Sequence, residues 1–137
     1  MIIPWKEEYS VKVKEIDDQH QYFIKILSDI YTSITEKKKE REILDLFKEL
    51  SNYANLHFKT EEKYFDQFNY ELADEHKEEH RKLKNEIKKF NKRYQKDSKK
   101  TFEITTELID FLENWLVDHL ANQDQKYVKC FSEHGLN

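Results

Sequence analysis

Apolar residues recur along this chain at steps of three and four, the spacing of a helix face turned toward a core. After an extended lead through Pro4, Trp5 and Tyr9, Asp17 is placed to cap a first helix. Its stripe is Phe23, Ile24, Leu27, Ile30, Tyr31 and Ile34, and it ends near Lys37. The charged run 36–42 covers a turn, after which Ile43, Leu44, Phe47, Leu50, Ala54, Phe58, Tyr64, Phe65 and Phe68 continue the period in a second helix. Asn69 breaks it. Leu72, Leu83, Ile87, Phe90 and Tyr94 mark a third helix that ends near Lys96. A fourth starts about Thr101 and carries Ile104, Leu108, Phe111, Leu112, Trp115 and Leu116, with Tyr127 and Val128 beyond. Four helices with short connections predict an all-α, up-down-up-down four-helix bundle over about residues 17–130, preceded by an extended N-terminal segment.

Composition agrees with that pattern. A chain of 137 residues, 37% apolar and 38% charged, suits one helical domain with a narrow core and a heavily solvated surface. The one glycine and one proline, Gly135 and Pro4, lie at the two ends, so the interior lacks the punctuation that sheets need. A net charge of -4 argues against a dedicated nucleic-acid binder. The basic stretch 81–100 interleaves with the third stripe and reads as a solvated helix face; it is also the one surface to nominate for an unidentified protein partner. With a single cysteine, Cys130, no internal disulfide forms; the thiol is expected to be a small buried hydrophobe or a site of intermolecular pairing. The start is charged by Lys6, and no run is long enough for membrane insertion, so the expected location is cytoplasmic.

The histidines change the picture. His57 stands four before Glu61, His76 four before His80, and His119 five before Asp124, while His20 stands alone and His134 lies in the tail. Residues four apart share a helix face and can converge on one ion, although any one such pair is weak evidence. Folding the bundle makes the pattern specific. Counted from the turns, His20, His57 with Glu61, His76 with His80, and His119 all fall roughly 25 Å from one end of the bundle, in one layer. Each also falls on the apolar stripe of its helix. Five inward imidazoles and two carboxylates in one layer are prohibitively costly without a cation. Seven ligands exceed one ion's capacity, so two ions sharing the carboxylates are expected, and the mixed donor set suits iron or manganese. Five residues advance about 140° around a regular helix, so Asp124 reaches the layer only if the fourth helix widens or unwinds after His119.

At this point the chain resembles the haemerythrin family, whose motif is a histidine on the first helix, HxxxE, HxxxH and a final HxxxxD. The resemblance covers almost the whole chain, including Trp5, the run 17–20 and the run 115–120, which look like the bacterial branch. It implies one iron on His76, His80 and His119, a second on His20 and His57, and bridges from Glu61, Asp124 and an oxo or hydroxo group. It leaves one position on the second iron for dioxygen, with Ile24, Phe58, Trp115, Leu116 and Leu120 expected to line the oxygen pocket. The function expected is reversible dioxygen binding for transport, storage or delivery, not enzymatic turnover. An oxygen or redox sensor module and a di-iron peroxidase or oxidase are the alternatives.

Overall fold

The computed structural model describes residues 3–37 and 40–137. A short 3₁₀ turn at Glu7–Tyr9 precedes α1 (Lys14–Thr35), α2 (Glu40–Gln67), α3 (Ala73–Lys96) and α4 (Thr101–Asp118). The chain then passes through a π-helical run, His119–Gln123, and a 3₁₀ turn, Asp124–Tyr127, into α5 (Val128–Glu133). α1 packs on α2 and α4, and α3 packs on the same two, which closes the four helices into a bundle. No described helix is long and apolar enough to cross a membrane.

The helix ends follow from local chemistry. After α2, Asn69 takes a left-handed φ of 49°, and the Tyr70 N–H donates to the Phe65 carbonyl at 3.0 Å, which closes the helix C-terminus. Lys37 does the same for α1 at φ 50°, with its N–H on the Ile34 carbonyl. Gly135, at φ 75°, ends α5, where left-handed backbone costs glycine nothing.

The N-terminus of α1 departs from the sequence expectation. The helix begins at Lys14 with Val13 at the cap position and no side-chain cap, so Asp17 lies inside it. Asp17 instead reaches back to the lead, accepting from the Val11 N–H at 2.9 Å and the Ser10 hydroxyl at 2.6 Å. Tertiary packing of the lead made the earlier start affordable: Val11, Val13 and Ile16 are buried together. The basic stretch lies on the surface, where Arg81, Lys82, Lys89 and Arg93 pair with Glu78, Glu79, Glu86 and Glu107.

Two apolar clusters fill the interior. The larger runs between all four long helices and contains Leu27, Ile30, Leu50, Leu83, Leu108 and Leu112. The smaller, at the opposite end, joins Val11, Val13 and Ile16 to Phe65, Tyr70, Tyr127 and Phe131. Buried histidines and carboxylates occur in the helix turns that join the two.

Candidate metal centre

Each long helix contributes to this layer, and the spacing of the ligands explains how. His57 and Glu61 are one turn apart on α2, as are His76 and His80 on α3, so each pair faces inward together. α1 brings His20, and the end of α4 brings His119. Asp124 arrives because the backbone widens into the π-helical run directly after His119. The wider turn takes up the extra residue, so that Asp124 Oδ1 lies 2.7 Å from His119 Nε2. Gln125 steadies the irregularity by donating to the Leu120 carbonyl at 3.1 Å and the Ser10 carbonyl at 3.3 Å.

The seven side chains are all buried, and Glu61 and Asp124 are 0% exposed. They form two groups, Glu61 with His76, His80 and His119, and Glu61 with His20, His57 and Asp124, whose donor atoms lie within 4.8 Å of one another. Asp124 also touches both sides, with Oδ2 at 3.0 Å from His20 Nε2 and Oδ1 at 3.1 Å from His76 Nε2. Glu61 Oε1 is 2.9 Å from His57 Nε2 and 3.3 Å from His80 Nε2. His134, by contrast, is exposed, stacks on Phe68 and donates from Nδ1 to the Cys130 carbonyl. Cys130 is a free, half-buried thiol.

The polar atoms of this layer are orphaned in the way a metal requires. Both oxygens of Glu61 and of Asp124, and Nε2 of His76, His80 and His119, are buried, and among the described residues none has a hydrogen bond outside the ligand set. His20 Nε2 and His57 Nε2 face each other at 3.0 Å, lone pair toward lone pair unless a proton or cation stands between them. Two ionised carboxylates taken out of water cost several kcal/mol each unless compensated. A cation within each group compensates both carboxylates and all five imidazoles at once, so the donor set fits a metal centre.

The protein groups alone set unusual protonation. Burial is the largest influence on Asp124 and pushes its carboxyl up, but His119, His20 and His76 outweigh it and hold it well below the usual carboxylate range. Glu61 behaves likewise: burial and Asp124 push it up, and His57 and His80 bring it well down. Burial pulls His80 down, yet Glu61 and Glu62 raise it to about 9. His57 is lowered, chiefly by burial.

Aromatic rings wall the layer. Phe58 stacks on His80 with centroids 3.9 Å apart, and Trp115 stacks on His119 at 4.3 Å. Of the five residues expected to line an oxygen pocket, these two therefore lie against the three-histidine group, while Ile24, Leu116 and Leu120 are buried in the same larger cluster. Sequence reasoning assigned no site role to the rings that meet the same group from the smaller cluster. Phe65 is 4.8 Å from His76, and Tyr127, fully buried, is 5.6 Å from it. Burial, then Asp124 and Glu61, push the Tyr127 phenol well above its ordinary value and keep it protonated. It also missed Gln19, which accepts from His57 Nδ1 at 2.7 Å, and Glu62, which lies 3.2 Å from His80 Nδ1. Their adjacency to His20 and Glu61 was the available signal.

A four-helix bundle that buries two histidine groups around shared carboxylates is a metal-binding bundle protein by fold and by site. A family model described as "Hemerythrin HHE cation binding domain" matches residues 11–131, and the chain belongs to that family. It is similar to a "Bacteriohemerythrin" of Clostridium acetobutylicum, 29% identical over 127 residues that cover 90% of this chain and 97% of the relative. A "Hemerythrin-like protein" of Naegleria gruberi is 26% identical over 123 residues, covering 90% and 88%. A solved structure described as "Crystal structure of hemerythrin:wild-type" matches with TM-score 0.79 at 25% identity, over 96% of this chain and 99% of that one.

Proposed function

We propose that this protein binds dioxygen reversibly at a di-iron centre and is a carrier, store or delivery protein, not an enzyme. The observation that carries the reading is the pair of fully buried ligand groups sharing carboxylates, with three imidazoles in one and two in the other. His76, His80 and His119 would hold one iron, His20 and His57 the other, and Glu61 and Asp124 would bridge them, together with an oxo or hydroxo group. With two imidazoles against three, the side of His20 and His57 would leave room for dioxygen.

Iron held by these residues would supply electrons to dioxygen on binding and take them back on release. The chain supports recovery in two ways. Its donors are mainly neutral imidazoles, which stabilise high-valent iron less than a carboxylate-rich set does. Its neighbouring core is apolar: Leu116 and Leu120, 3% and 0% exposed, would keep out the water and protons that end reversible binding. Iron analysis with visible spectra under oxygen and then argon tests the reading. Two irons per chain and a charge-transfer band that vanishes under argon are expected; a band that persists, or substrate turnover in a peroxidase assay, defeats it.

A further inference from the structure

The two ligand groups differ in what stands behind them as well as in histidine count. On the two-histidine side, His57 Nδ1 lies 2.7 Å from the amide oxygen of Gln19. The orientation of that amide is settled by a relay. Thr60 Oγ1 commits its proton to the Leu56 carbonyl at 3.1 Å, so it can only accept from Gln19 Nε2, at 3.2 Å, which leaves Oε1 for His57. The other imidazole of this group, His20, has a buried Nδ1 with no hydrogen-bond partner among the described residues. On the three-histidine side, His80 turns Nε2 toward Glu61 and Nδ1 toward the carboxylate of Glu62, at 3.2 Å. One outer partner is neutral and the other is an anion.

We propose that Gln19 and Glu62 are positioning residues that make the two irons electrically unequal, the three-histidine iron being the easier to oxidise. Each partner comes from the preceding helix, Gln19 of α1 behind α2 and Glu62 of α2 behind α3. An imidazole that donates its second N–H to a carboxylate is a stronger electron donor through its other nitrogen than one donating to an amide. Glu62 therefore stabilises added positive charge on the three-histidine side, and Gln19 gives the two-histidine side less help. Glu62 is 26% exposed, so solvent screens part of its charge, and a modest shift is expected.

The proposal rests on the di-iron reading. The test is a redox titration of the iron-loaded protein and its Glu62→Gln and Gln19→Glu variants, with iron counted in each. Both substitutions keep shape and a hydrogen-bond acceptor, so iron occupancy should stay full. Glu62→Gln should raise the lower midpoint potential, a change of about tenfold in the oxidised-to-reduced ratio, or about 59 mV for one electron. Gln19→Glu should lower the higher one. The two variants thus move the mean in opposite directions, and both narrow the separation. Glu62→Ala, which removes the acceptor, should also lose iron, and Glu62→Gln should restore it. Full iron with an unchanged separation in Glu62→Gln overturns the proposal alone, as does a shift of both variants in the same direction. A wild-type protein that takes up no iron overturns the di-iron reading beneath it, and metal analysis shows that before any potential is measured.

Discussion

The metal layer separates two interiors built on different plans. The larger cluster is mostly aliphatic and is made mainly by the four long helices, with Leu50, Leu108 and Leu112 at 0% exposure. The smaller is mostly aromatic and gathers Val11 and Val13 of the N-terminal lead, Tyr70 of the turn after α2, Tyr127 of the 3₁₀ turn and Phe131 of α5 around Ile16 and Phe65, which lie near helix ends. On the first side Leu116 and Leu120 are buried aliphatic side chains; on the second the hydroxyls of Tyr70 and Tyr127 are buried, with no hydrogen bond of ordinary geometry among the described residues. Regular packing can be filled by any well-fitting aliphatic set, whereas closing the bundle over buried charge takes segments that depart from the helix period. The long helices place His20, His57, Glu61, His76 and His80, and the irregular side brings in Asp124.

Removing a ligand should break both sides together. His119→Ala leaves Asp124 without its nearest imidazole, at 2.7 Å, and the remaining inward polar groups without a full cation complement. Iron should fall below two per chain and the thermal midpoint should drop, as read by metal analysis and calorimetry on the same sample. Full occupancy would remove His119 from the ligand set.

Leu116→Ala should separate stability from site chemistry. Truncation in a packed core costs about 2–5 kcal/mol. If Leu116 also shields the oxygen position, iron content should stay nearly intact while the rate of autoxidation rises. A large stability loss with an unaltered rate would make this leucine a core residue only.

The third expectation concerns pH. His80, raised to about 9 from an ordinary 6.5, contributes stability that is fully present below 6.5 and is lost as pH rises through 9. Chelator-stripped protein should therefore lose stability between those values, and the iron-loaded protein, whose imidazoles must be neutral to bind, should not. Metal uptake at neutral pH should release the His80 proton, measurable in weakly buffered solution, and the release should fade above pH 9. Equal pH profiles with and without iron would contradict this.

Tyr127→Phe should have the smallest effect. Its hydroxyl makes no hydrogen bond of ordinary geometry among the described residues, although Glu61 is near enough to raise it, so deleting it should change stability by about 1 kcal/mol or less and leave iron in place. A loss of iron would show that the phenol supports Glu61 or Asp124 directly.

The four helices, their turns and the seven inward histidines and carboxylates were legible in the sequence because each depends on local periodicity and on residues three to five apart on one helix. Lysine-rich and glutamate-rich faces hide nothing at that range, and Asn69 marked its own turn. The need for an irregularity after His119 was legible too, since a regular helix would carry Asp124 away; that it takes the form of a π-helical run held by Gln125 was decided by contacts to the Ser10 carbonyl far away in sequence. Asp17 was misread as a cap for the same reason, because the lead that it grips is placed by the smaller cluster and not by the first helix. Gln19 and Glu62 received no role from the sequence, and it is the packing of α1 on α2 and of α2 on α3 that brings them to His57 and His80. A helix period tells which side chains leave on the same face; which imidazole a neighbouring helix brings to meet them is set by tertiary packing.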